Sequence, residues 1–155
     1  MKDLLDVQLE KGGTMPIVTW DGSLAVGHKM IDEHHEHLVE LLNKAYDEFC
    51  EKKAAQDIAA VLDELADYAT YHFAQEELLM DETDYPSKDE HLLDHAYFVK
   101  RIGEIQRDFA TGGVPISLEI ISFLRGWLVR HISQSDADLG AHAARVKKPV
   151  VIVLQ

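Results

Sequence analysis

The chain is short of several things. It has one cysteine, Cys50, so no disulfide can close within it, and Cys50 reads as a small packing residue of a helix. It is short of positive charge, with 15 Lys and Arg against 28 Asp and Glu and a formal net charge of −13. Such a chain is repelled by phosphate backbones and anionic lipid, so neither nucleic acid nor membrane is an expected partner. No apolar run approaches the ~20 residues of a membrane span. The N-terminal MKDLLDVQLEKGG alternates acids with apolar residues and lacks the uninterrupted apolar stretch of a signal peptide. These absences together point to the reducing cytoplasm. Proline is scarce, and Pro86, Pro115 and Pro149 fall where the helical pattern breaks. No internal repeat and no low-complexity segment is present.

Histidine is abundant instead. There are nine: His28, His34, His35, His37, His72, His91, His95, His131 and His142. Most stand at helical spacing beside carboxylates. The stretch from Tyr71 to His95 holds His72 and Glu76, four apart, then His91 and His95, four apart. Side chains at that spacing sit one above the other on a helix face. Tyr85-Pro86-Ser87 interrupts the pattern between the pairs, which predicts a helical hairpin that turns one pair to face the other. That is half of a metal site in a bundle core.

Taken in order, residues 1–14 form an N-terminal extension, broken from the rest by Gly12-Gly13. Pro16 to Gly27, with four β-branched residues, reads as an extended arm anchored by Trp20. The first helix is expected over about Lys29–Lys53, with Ile31, His35, Leu38, Leu42, Ala45 and Phe49 as its buried stripe. His34 and His37 lie off that stripe, at its edge or in solvent. The second helix is expected over about Gln56–Glu82, where His72 and Glu76 take places among Ile58, Val61, Leu62, Leu65, Tyr68, Ala69, Phe73, Leu79 and Met80. Ser87 and Glu90 suit a capping box for a third helix over about Asp89–Ala110, whose inner face is His91, His95, Phe98, Ile102, Ile105 and Phe109. A fourth starts near Pro115 or Ser117 and carries Leu118, Ile121, Leu124, Leu128, His131 and Ile132 inward. Asp136 follows His131 by five, about 140° round a regular helix, so the helix should bend, loosen or end there. The expected fold is all-α: an up-down-up-down four-helix bundle over residues 15–140, with an extended N-terminal arm and an apolar C-terminal tail over 141–155.

The polar groups on inward faces are His35, His72, Glu76, His91, His95, His131 and Asp136. An HxxxE or HxxxH pair alone is an ordinary solvated face. A pair on the buried stripe of its own helix carries a large desolvation cost unless it holds metal. Imidazole with carboxylate suits iron, zinc, copper or nickel. Seven ligands exceed what one tetrahedral zinc takes, so two ions bridged by the carboxylates fit better. Two octahedral ions ask for twelve positions. Five imidazoles, two bridging carboxylates and one bridging oxide or hydroxide fill eleven and leave one vacancy, as a small diatomic ligand needs.

The motifs IDEHHEHL (31–38), HFAQEELLM (72–80) followed by YP (85–86), HLLDH (91–95) and WLVRHISQSD (127–136) together resemble the hemerythrin family, in its single-domain bacterial form. The likeness covers Met15 to about Gly140. It implies a non-haem di-iron centre that binds O2 reversibly. By position, His91, His95 and His131 would hold a closed iron, His35 and His72 an open one, and Glu76 and Asp136 would bridge them. The positions matching the family's apolar O2 pocket are Leu38, Phe73, Trp127, Leu128 and Ile132. One departure is His34, where the family usually has Gln.

The resemblance implies a monomeric O2 carrier rather than an enzyme. The alternatives are O2 or redox sensing through a separate protein, for which Val150–Leu154 is the one candidate docking segment, and a di-iron enzyme acting on peroxide, nitric oxide or ferrous iron.

Overall fold

The computed structural model describes residues 15–112 and 114–146. The N-terminal extension and the segment Val150–Leu154 lie outside them. Four long helices form the body: α1 (Lys29–Cys50), α2 (Ala55–Glu82), α3 (Lys88–Ala110) and α4 (Leu118–Arg130). A π-helical segment, His131–Asp136, continues α4 into a fifth helix, α5 (Ala137–Val146). The chain is all-α, with no strand among the described residues. Short links at residues 51–54, 83–87 and 111–117 reverse the direction each time, which gives the up-down-up-down bundle. α1 packs on α2 and α4, and α2 on α3. Phe98 of α3 closes the ring against Trp127 of α4, with ring centroids 4.4 Å apart.

Each turn has a local cause. α1 begins at His28, whose Nδ1 accepts from the Ile31 amide at 3.4 Å. It stops at Cys50 rather than Lys53 because Lys52 adopts the left-handed conformation, φ 56°. Asp84, φ 49°, turns the chain after α2. The Ser117 hydroxyl accepts from the Ile120 amide and caps α4. The capping box expected at Ser87 does not form. Ser87 stands at the N-cap of α3 with φ −98° and ψ 24°, not the extended backbone that aims a hydroxyl into the first turn, and its side chain makes no capping bond.

The arm is held differently from its sequence reading. Val18 and Leu24, not Trp20, are its buried residues, and Trp20 is half-buried against the core. Asn43 clamps Val18 by two bonds, accepting from its amide at 3.0 Å and donating to its carbonyl at 2.9 Å. Further on, the arm crosses α5 so closely that a Cβ on Gly140 would lie 2.5 Å from the Val26 carbonyl oxygen. Gly140 therefore lies within a helix and under the arm, where only a glycine fits.

The buried apolar residues fall into two clusters. The larger fills the bundle from Leu38 and Phe73 down to Ile58, Ile102 and Ile121. The smaller is Ile31, Met80 and Leu139, all fully buried, with Met30, Leu79, Tyr85 and Leu92 packed around them. Ile31 lies one helical turn from His35, and Met80 one turn from Glu76, on the side away from Leu38 and Phe73. The polar layer thus sits between a deep core and a thin apolar cap.

Candidate metal centre

His35 comes from α1, His72 and Glu76 from α2, His91 and His95 from α3, and His131 and Asp136 from the two ends of the π-helical segment. All seven are buried, and His35, His72, Glu76 and Asp136 have no exposed surface at all. The widened turn solves the spacing of five. It brings Asp136 back over His131, whose Nε2 lies 3.0 Å from Asp136 Oδ1.

In each of the five rings the same atom, Nε2, faces a carboxylate. Glu76 Oε1 meets the Nε2 atoms of His35, at 3.4 Å, and of His72. Glu76 Oε2 meets those of His91 and His95, both at 3.0 Å, and of His131 at 3.8 Å. Asp136 divides in the same sense: Oδ2 lies 2.7 Å from His35 Nε2, while Oδ1 lies 3.1 Å from His91 Nε2 and 3.0 Å from His131 Nε2. Glu76 therefore presents one oxygen to two imidazoles and the other to three, and Asp136 presents one oxygen to His35 of the first group and the other to His91 and His131 of the second.

The donor atoms gather into two sets that could hold metal ions, each with its atoms within 4.8 Å of one another. One is Glu76, His91, His95, His131 and Asp136; the other is His35, His72, Glu76 and Asp136. Both contain both carboxylates. Several of these atoms are crowded without being satisfied. His72 Nε2 and both Asp136 oxygens are buried and make no well-aligned hydrogen bond. His95 Nε2 and His131 Nε2 stand 3.1 Å apart. Lone pairs converging on a common point, at full burial, are what a metal pair takes up and what protein alone leaves costly.

The outward nitrogens are held as well. His131 Nδ1 bonds to Asp94 Oδ2, and His95 Nδ1 lies 3.5 Å from Glu77 Oε1. His72 Nδ1 lies 2.9 Å from His34 Nδ1. Asp94 and Glu77 do not stand out in the sequence, where they look like residues of a solvated face, and His34 stands out only as a departure from the family pattern. His34 is half-buried, at the edge of the α1 stripe. The other histidines serve locally. His28 caps α1, exposed His37 lies 3.6 Å from Glu40, and His142 Nε2 donates to the Thr83 carbonyl at 2.7 Å.

Burial opposes charge on these rings, but Asp136 and Glu76 outweigh it for His35 and His91 and push both up to about 9. The same contest, with Asp94 added, lifts His131 well above the usual imidazole range. Burial would raise the carboxylates, yet His131, His35, His72 and His91 hold Glu76 well below its ordinary value. Asp136, opposed by burial and by Glu76 and favoured by His131 and His35, falls to about 2. Without metal, protons stand in for it between the two sets of oxygens and nitrogens.

On the deep side the layer meets an apolar cavity lined by Leu38, Leu42, Leu65, Ala69, Phe73, Phe98, Leu124, Trp127 and Leu128. It offers about 10 Å³ and no polar partner, so a water has neither room nor hydrogen bonds there. Four of the five expected pocket residues line it. Ile132 is buried but is not part of its wall. Phe73 stacks on His95 at 3.9 Å and Trp127 on His131 at 4.5 Å, which fixes those rings in plane.

Residues 26–143 match the family model for the hemerythrin HHE cation binding domain. The chain is 35% identical over 133 residues to a bacteriohemerythrin of Stenotrophomonas maltophilia, covering 86% of this chain and 84% of that one. It is 28% identical over 127 residues to a bacteriohemerythrin of Methylococcus capsulatus, covering 81% and 96% respectively. A crystal structure of wild-type hemerythrin superposes with a TM-score of 0.78 at 26% identity, over 83% of this chain and 98% of that one. With its fold, its motifs and its convergent His, Glu and Asp side chains, the chain belongs to the hemerythrin HHE cation-binding family.

Proposed function

We propose that this chain is a monomeric cytoplasmic O2 carrier built on two non-haem iron ions. In this reading His91, His95 and His131 hold one ion and His35 and His72 the other. Glu76 and Asp136 bridge them, together with an oxide or hydroxide. When bound, the iron pair supplies two electrons and one open coordination position, the chemistry of reversible O2 binding. The observation that carries this reading is the split of Glu76, one oxygen toward two imidazoles and one toward three, with Asp136 dividing between the same two groups. That asymmetry leaves the two-imidazole side one ligand short.

The chain's own residues do the rest. Leu38, Phe73, Trp127 and Leu128 line the apolar cavity that would take O2, Ile132 packs in the same core, and the dry wall they make keeps water and protons from the site. The stacked Phe73 and Trp127 hold the imidazoles in place. A shell of five nitrogens and two carboxylates differs from the four Glu and two ExxH histidines of ferritin-like di-iron proteins, and it favours holding O2 over cleaving it. The names of the curated relatives agree with this reading.

Anaerobic loading with ferrous iron should give two irons per chain and a colour on exposure to air that reverses under vacuum. A chain isolated with a single zinc, or one that bleaches irreversibly, overturns the reading. Steady turnover of peroxide, nitric oxide or ferrous iron by the loaded protein would make it an enzyme instead.

A further inference from the structure

Four of the five imidazoles divide a second way, by what stands behind them. His131 and His95 have carboxylates at Nδ1, Asp94 and Glu77. His35 Nδ1 is buried and has no hydrogen-bond partner. His72 alone is backed by another ring, with His34 Nδ1 2.9 Å from its own Nδ1. His34 is fixed there by its neighbours. Its ring meets Tyr68 edge-on at 5.7 Å and Tyr71 at 5.4 Å, and stands at 79° to the His72 ring. α1 thus contributes two consecutive histidines, one inward at the site and one behind a site residue of α2.

Two imidazole nitrogens at hydrogen-bond distance share one proton, so one ring donates and the other accepts. His72 turns Nε2 to Glu76 and the site. For that nitrogen to present a lone pair, the ring's proton must be on Nδ1. His34 Nδ1 must then be bare, with its own proton on Nε2.

We propose that His34 is a positioning residue for the metal centre: its Nδ1 accepts a hydrogen bond from His72 Nδ1–H and so holds His72 with Nε2 free for the metal. This rests on the two-metal reading above. It also gives the two halves unlike support. A carboxylate behind a ligand orients it and raises its basicity, whereas an imidazole acceptor orients it without adding charge.

The test uses the full chain loaded with zinc, a diamagnetic probe, and nitrogen-15 labelled at histidine. The expected spectrum shows His72 protonated at Nδ1, with a scalar coupling across the N–H···N bond to His34 Nδ1. In chelator competition, His34→Ala should still bind two zinc ions at saturation but release the weaker about 10–100-fold more readily, the usual cost of a lost outer partner. His34→Gln, whose amide oxygen can accept the same bond, should recover most of that loss. A purely structural role would show neither the coupling nor the recovery. Two zinc ions in the parent, with no coupling or with His34→Ala holding the second ion as tightly, overturns the role of His34 alone. Fewer than two in the parent overturns the two-metal reading and this inference with it.

Discussion

The three-imidazole half of the site and the two-imidazole half share both carboxylates and differ in everything behind them. The first draws on α3 and the π-helical segment; Asp94 supports it from a surface groove also lined by Tyr97, Arg130 and Gln134, and Glu77 supports it from α2. The second draws on the α1–α2 pair, and its support is one neutral ring and one unpartnered nitrogen. Carboxylates therefore stand behind two rings of the three-imidazole half, and an imidazole behind one ring of the two-imidazole half. That arrangement suits a site in which one ion is held firmly and its neighbour exchanges a ligand. The lesson is that the asymmetry is built twice, once in the number of nitrogens and again in what the outer nitrogens meet.

The change expected to break the comparison outright is Glu76→Ala. Glu76 is the one residue that meets all five Nε2 atoms, so both halves lose their common ligand together. Metal content should fall from two ions to one or none, measured by elemental analysis of the loaded protein; a full pair retained would remove Glu76 from the site. Asp94→Asn tests one half only. The Asp94 carboxyl is held below its usual range by His131, so it is an anionic acceptor. Its amide replacement should loosen the tighter ion about 10–100-fold in chelator competition while the weaker ion is released as before. Equal loosening of both ions would mean that the halves are not independently supported.

How much of this could be read in the sequence depends on which face a residue occupies. His35, His72, Glu76, His91, His95 and His131 are legible because each interrupts an apolar stripe, and a polar residue there is conspicuous. The first three helices are legible for the same reason, to within three residues at their ends, and so is the start of the fourth. Asp136 is legible only in part. A spacing of five says that the helix cannot stay regular, but not that it widens into a π-helical turn and then continues to Val146. Asp94 and Glu77 are not legible, because an acid on a half-exposed face is the commonest pattern a helix shows, and His34 is legible as a departure from the family pattern but not as a partner of His72. The cap of Ile31, Met80 and Leu139 is hidden too, since it joins residues from three helices and one of them lies beyond the expected end of the fourth.

A smaller effect probes the deep side. Leu128 lines the apolar cavity one turn from His131, and Leu38 lines it one turn from His35, so both halves share one dry wall. Leu128→Asn places an amide in that wall and gives water a partner there. Autoxidation of the oxygenated protein should quicken several-fold, followed by the decay of its visible absorbance. An unchanged rate would take Leu128 out of the pocket. Leu38→Asn should act in the same direction, and the ratio of the two rates reports which half the pocket serves more closely.

The smallest expected effect is on stability, and it asks whether the halves behave alike before metal binds. His35 belongs to one and His91 to the other, and both rise from 6.5 to about 9 against the same two carboxylates. A raised pKa in the folded state means that the native protein holds a proton which the unfolded chain has already released. The stabilisation is complete below pH 6.5 and is lost as pH rises through about 9. The carboxylates act in the opposite sense. Asp136 falls from 3.8 to about 2, so its contribution is complete above pH 3.8 and is lost as pH falls through about 2. The metal-free chain should therefore be most stable at mildly acid pH, with its Tm dropping by several degrees between pH 6.5 and 9. Metal affinity should move the other way across that window, because a metal ion needs the same nitrogens without their protons. A metal-free Tm that stays level from pH 6.5 to 9 would show that the imidazoles are not protonated against Glu76 and Asp136. A drop removed by His35→Leu but untouched by His91→Leu would place the proton in the two-imidazole half alone.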